Sequence, residues 1–159
     1  MSASGRPPLS PDQMRIKMDK DLEKSQANRI WIIQYLFNKE IEGVENINDE
    51  DLRAYLMSEI DEVRKELGIL RKTGWVTYTV AGKIFLDVKL TGNGFKDIER
   101  KIPSFQPPAI PEDSDPEYTK LRLAILTEEN TGKKFDLMLG IMRLPNMVVN
   151  IWNHITGGA

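Results

Sequence analysis

Residues 60–90 read IDEVRKELGILRKTGWVTYTVAGKIFLDVKL, and midway through them the apolar period changes. Up to Lys72, Ile60, Val63, Leu67 and Leu70 recur at i, i+3, i+7 and i+10, the spacing of one helix face. Thr73-Gly74 closes that helix. From Trp75 to Val80 β-branched and aromatic residues take over, Ala81-Gly82 marks a turn, and Lys83 to Leu90 alternates with Ile84, Leu86, Val88 and Leu90 on one face. The prediction is a helix running into a β-hairpin.

Upstream, the signals for two more helices stand in order. Ser10, Pro11 and Gln13 make an N-cap, a first-position proline and a capping-box partner, with Leu9 and Met14 at the staple positions. Met14, Met18 and Leu22 follow at fourfold spacing. Ile30, Ile33, Phe37 and Ile41, widened by Trp31, Ile32, Tyr35 and Leu36, then predict a buried helix that Gly43 ends. Asn48-Asp49-Glu50-Asp51 suits the positive end of a second, short helix carrying Leu52, Tyr55 and Leu56. Ser58 is the expected cap of the third. Three helices with one apolar face each need a hairpin to close a core.

Downstream, Thr91 to Gly94 breaks the strand and Phe95 to Arg100 resumes helical composition. Five of the nine prolines and four acids, with no base, fall between Ile102 and Thr119, which predicts an extended linker. After it, Lys120 to Glu129 reads as a helix, Asn130-Thr131-Gly132 as a break, and Lys133 to Ile155 as one or two helices kinked at Pro145. The division is thus a tail and amphipathic helix over 1–24, a helix–hairpin domain over 25–101, a linker over 102–119 and a helical segment over 120–159.

Helix, short helix, helix and hairpin over 25–90, with Leu67, Leu70, Gly74 and Trp75-Val76 at the third helix's exit and Leu90-Thr91-Gly92-Asn93-Gly94-Phe95 at the hairpin's, resemble a winged helix–turn–helix domain. The exit is similar to the leucine-threonine-x-x-glycine pattern of transcription regulators of the multiple-antibiotic-resistance and phenolic-acid-repressor types. The resemblance covers about half the chain. It implies an α+β, mostly helical fold: a winged-helix core of three helices and a β-hairpin wing, with helical extensions at both ends. It also implies that the third helix enters the major groove of double-stranded DNA while the wing touches the backbone. Ser58, Arg64, Lys65, Arg71 and Lys83 are the corresponding DNA-binding candidates. Dimerisation through flanking helices is implied as well. The apolar Phe135, Met138, Ile141, Met142, Val148, Ile151, Trp152 and Ile155 are therefore the expected homodimer interface.

Charge argues the other way. Residues 41–73 hold nine acids against five bases, and Glu59, Asp61 and Glu62 sit at the start of the supposed recognition helix, where carboxylates would face phosphates. Three functions stay open: a DNA-binding transcription regulator, a winged-helix module that holds another protein on its acidic third helix or hairpin, or a peripheral membrane or assembly protein that uses the C-terminal amphipathic helix. The 159 residues include no Cys and one His, which excludes thiolate metal sites, Cys nucleophiles and disulfides. No acid, base and nucleophile set stands out, so an enzyme is not expected, nor is a cofactor or metal; Glu112 to Glu117 lacks calcium-loop spacing. His154 reads as a helix-end residue, Trp31 and Trp75 as core. Met1 to Pro8 has no signal-peptide character, and the most apolar run, Phe135 to Trp152, is broken by Asp136, Arg143, Pro145, Asn146 and Asn150. A cytoplasmic protein is the expectation.

Overall fold

A computed structural model of the chain describes residues 8–111, 114–145 and 149–157, with the backbone alone over 16–22. The tail over 1–7, the side chains of Met18 and Leu22, Glu112, Asp113 and Val148 lie outside the described residues. The fold is α+β and mostly helical. Its elements are α1 (Pro11–Ile41), α2 (Asp49–Leu56), α3 (Ile60–Lys72), β1 (Val76–Ala81), β2 (Ile84–Leu90), α4 (Gly92–Lys101), α5 (Pro116–Thr127), α6 (Thr131–Met142) and α7 (Ile151–Thr156).

α1 starts as its sequence dictates. Ser10 Oγ accepts from the Gln13 N–H at 3.1 Å while Gln13 Oε1 accepts from the Ser10 N–H at 2.9 Å, which satisfies donors the helix cannot. The expected staple is not a buried one, because Leu9 and Met14 are both exposed. Further along, Arg29, Ile30, Ile32, Ile33, Gln34, Leu36 and Phe37 are all buried. Consecutive buried positions cover every side of a helix, so this half of α1 must be surrounded. It packs against α2, α3, β2, α6 and α7. Gly43 then turns the chain at φ +76°, a conformation glycine adopts without a Cβ penalty.

α2 opens with a capping box between Asn48 and Asp51. α3 corrects an expectation: its N-cap is Glu59, with no side-chain cap bond, and Ser58 Oγ instead donates to the Leu56 carbonyl at 3.4 Å. On α3, Val63, Leu67 and Leu70 face the core as spaced, and Glu66 is buried with them.

The hairpin also departs from simple alternation. β1 and β2 pair antiparallel, with Val76 opposite Leu90, Thr79 opposite Leu86 and Val80 opposite Phe85, and the register shifts between Thr77 and Thr79. Asp87, at φ +53°, is the extra residue of a β-bulge. One inserted residue sends side chains beyond it to the other face. Ile84 and Leu86 are therefore exposed, while Phe85, Val88 and Leu90 turn towards the helices.

Thr91 caps α4 by accepting from the Gly94 N–H at 2.9 Å, so the helix starts at Gly92, three residues before the expected Phe95. A Cβ on Gly94 would sit 3.0 Å from the Trp75 carbonyl oxygen, so a side chain there would press on the Trp75 backbone. The linker is not a loose connector. Phe105 and Pro107 are buried, Tyr118 Oη donates to the Pro108 carbonyl and Arg122 Nε to the Pro107 carbonyl at 3.1 Å. α5 begins within the predicted linker, with Asp115 as N-cap and Pro116 at the first turn. Asn130, expected as part of a break, caps α6.

The C-terminal helices correct the dimer expectation. Phe135, Met138, Ile141 and Ile155 are fully buried within the single chain, Ile151 is nearly so, and Met142 and Trp152 are half-buried against the same core. The Phe37 and Phe135 rings lie 6.4 Å apart. An apolar face already removed from water by α1 offers no further burial to a second copy. One apolar cluster thus runs from Ile30 to Ile155, and the parts named above share it rather than each holding a core.

Lys134 is buried with its Nζ donating to the Pro103 carbonyl at 2.8 Å, and burial pushes its pKa below the usual lysine value. The unfolded chain then binds more protons than the folded one just below the ordinary lysine pKa of about 10.4, so stability rises with pH there. Tyr118, raised by burial, acts in the opposite direction only above the ordinary tyrosine pKa of about 10. Denaturant midpoints measured from neutral pH to about pH 9.5 are expected to climb, and Lys134→Met to flatten the climb. A rise of the same size in the variant would show that another group causes it.

Candidate interaction surface

The candidate surface consists of the α2–α3 turn, the exposed face of α3 and the hairpin. α2 is capped by Met57, whose backbone is left-handed (φ 54°, ψ 41°) and which is 90% exposed. A non-glycine residue in that region costs about 1–2 kcal/mol, and here it displays a thioether to water. Glu59 and Asp61 follow, exposed and unpaired among the described residues, and Glu62 lies 3.9 Å from the exposed Lys24. Acids in the first turn complement the positive end of α3.

The basic residue of that half of α3 turns away. Arg64 Nε sits 2.8 Å from Oδ2 of Asp49, a carboxylate fully buried at the start of α2, and the arginine side chain is 25% exposed. The same Asp49 oxygen accepts the Phe85 N–H at 3.2 Å. Asp49 thereby ties α2, α3 and β2 together, while its Oδ1 has no hydrogen-bond partner among the described residues.

Arg71, two helical turns beyond Arg64, reaches the same face of the hairpin. Its guanidinium lies 4.7 Å from the Tyr78 ring centroid, and that of Arg64 lies 5.8 Å from Phe85. Tyr78 and Phe85 stack at 4.6 Å and 12° between them. A cation, two rings and a second cation clamp the hairpin onto α3, each cation–π contact contributing about 0.5–1 kcal/mol at an exposed site.

Of the DNA-binding candidates, Lys65 is exposed on α3 and Lys83 on the hairpin turn. Arg71 is exposed but rests on Tyr78, Arg64 is held by Asp49, and Ser58 bonds within its own turn. The residues that sequence reasoning missed are Asp49, Tyr78, Phe85 and Met57. Asp49 was legible only as one of a run of acids, since nothing local tells a buried aspartate from its exposed neighbours. Below this face, a cavity of about 410 Å³ is lined by Leu36, Glu40, Val44, Ile47, Asp87 and Lys89, between the end of α1 and the bulge.

No protein-family model matches the chain, and no curated protein or solved structure matches it either. Among the described residues no helix is long and apolar enough to cross a membrane.

Proposed function

We propose that residues 25–101 form a winged helix whose third helix holds another protein rather than DNA. The element order supports the winged-helix part, since three helices precede a hairpin that packs back on them. One observation carries the functional part: the N-terminal half of α3 offers carboxylates, because Arg64 is folded back onto Asp49. Phosphates would meet Glu59, Asp61 and Glu62 where groove contacts concentrate. A partner with a basic, partly apolar segment meets complementary charge and, at Met57, an apolar anchor.

A DNA-binding transcription regulator is the second reading, favoured by the exposed Lys65, Arg71, Lys72 and Lys83. Both readings place the protein in the cytoplasm. One titration separates them. With labelled duplex DNA at about 50 mM salt, where the electrostatic component is large, the wild-type chain is expected to show no saturable binding. Asp61→Lys with Glu62→Lys is expected to gain DNA affinity and to weaken binding of a Lys/Arg-rich amphipathic peptide by about tenfold or more. Salt-dependent wild-type binding to duplex, lost on Lys65→Ala with Arg71→Ala, would establish the DNA reading instead.

A further inference from the structure

Asn28 lies inside α1 and is only 5% exposed, yet its side-chain amide has no hydrogen-bond partner among the described residues. It is not sealed off either. The buried side-chain atoms that lack both a partner and contact with water belong to Arg29, Trp31 and Asp49. The Asn28 amide therefore opens onto the cleft of about 300 Å³ that it lines between α1 and α3, together with Lys24, Ser25, Glu62, Lys65 and Glu66. Asparagine is a poor residue for a helix interior, because its amide competes for backbone groups, and burying an unbonded amide is costly. Its position points to a ligand.

The other groups of the cleft differ in how far they are already satisfied. Ser25 Oγ donates to both oxygens of Glu66, and Arg29 Nη1 donates to Oε1 at 3.0 Å, so that carboxylate is occupied in joining the helices. Lys24 and Glu62 stand 3.9 Å apart, both well exposed, which is too long for a hydrogen bond and makes a loose pair. Lys65 is exposed and makes no ion pair among the described residues. Two ammonium groups, one carboxylate and one amide are thus open to a guest. Lys24, Lys65 and Arg29 against Glu62 and Glu66 leave one positive charge.

We propose that this cleft binds an acidic α-amino acid. Such a molecule carries two carboxylates and one ammonium, the complement of Lys24, Lys65 and Glu62, and its single negative charge matches the single positive one. The Asn28 amide serves both kinds of group: its N–H donates to a carboxylate and its carbonyl accepts from the ammonium, bonds that a full charge strengthens. A plain anion would meet the lysines but also Glu62, and a plain cation would meet Glu62 but also the lysines. Size fits too, since the cleft stands at the lower end of the about 300–1,000 Å³ of ligand sites. Bound there, the amino acid bridges α1 and α3. This inference rests on the α1–α3 cleft and is independent of whether α3 holds a protein or DNA.

Titration of the full chain with sodium L-glutamate and with sodium L-aspartate, followed by proton–nitrogen correlation spectra at matched ionic strength, tests it. The Asn28 side-chain amide signals, identified by their loss in Asn28→Ala, are expected to shift saturably with half-saturation at about 1 mM or below. Glutarate, which lacks the ammonium, and L-glutamine, which lacks the second carboxylate, are each expected to bind about tenfold more weakly or worse. Lys65→Ala and Asn28→Ala, read through the Glu66 backbone amide, are expected to weaken glutamate binding by about tenfold or more. The thermal midpoint of Asn28→Ala is expected to stay at or above that of the wild type, because alanine is the better helix former and the amide supports no contact in the fold. Asn28→Asp, nearly isosteric, replaces the donor with an acceptor and is also expected to lose binding. No saturable shift with either amino acid up to about 50 mM overturns the proposal, as does a shift that sodium chloride reproduces. So does glutarate or glutamine binding as tightly as glutamate, or glutamate binding unchanged in both Asn28 variants.

Discussion

Glu66→Ala is expected to lower the stability of the fold by about 3–5 kcal/mol, the effect of leaving a buried charge without its partner. Glu66 and Arg29 face each other at 3.0 Å with both side chains over nine-tenths buried. Ser25 Oγ donates to the same carboxylate at 2.7 Å, and the Arg29 guanidinium lies 4.8 Å from the Trp152 ring centroid. The pair thus joins α1 to α3 and, through the ring, to α7. Removing the carboxylate leaves a guanidinium that water barely reaches and whose Nε already has no partner among the described residues. Urea denaturation followed by circular dichroism reads the loss. Arg29→Met combined with Glu66→Leu is expected to recover most of it, since an apolar pair of similar volume carries no desolvation penalty. A loss under about 1 kcal/mol in the single variant would show that water reaches the site.

Phe135→Ala carries the other large effect, also about 3–5 kcal/mol, from lost burial plus the cavity left behind. Phe135 is fully buried and packs by Phe37 in the last turns of α1, between two helices rather than under a loop. Leu123→Ala, at an exposed position on α5, is the control and is expected to stay within about 0.5 kcal/mol. Comparable small losses at both sites would mean that α6 does not belong to the core of the single chain.

The elements that sequence reading placed well are those whose signals are local. Ser10 with Gln13 and Asn48 with Asp51 act within a few residues of themselves, and both capping boxes form. The helix period of α3 and the Gly82 turn are equally short-range. Misreadings arose where a distant residue decides the outcome. The run Ile84, Leu86, Val88, Leu90 alternates cleanly on paper, and only the bulge at Asp87 divides it between two faces. Proline and acid content suggested a free connector over 102–119. Yet Ile102, Phe105 and Tyr118 are buried there, and the carbonyls of Pro107 and Pro108 accept side-chain bonds from α5.

For the candidate surface the division is similar. The acidic character of α3 and the thin basic character of the hairpin turn are matters of composition. The fates of Arg64, Glu66 and Asp49 are not, because a charge has no sequence mark that tells burial from exposure. Arg64 and Lys65 are adjacent and chemically alike, but α3 presents them about 100° apart, one to Asp49 and the other to water.

By itself the sequence determined the order of helices and hairpin, their main capping signals and the acidic charge of the third helix, because periodicity, capping and charge count act over a few residues. Tertiary structure alone decided three things. It buried the C-terminal apolar face against α1 instead of leaving it for a second chain, it folded Arg64 onto Asp49, and it buried Glu66 against Arg29. Each depends on which distant surface reaches a residue first, and neither spacing nor composition records that.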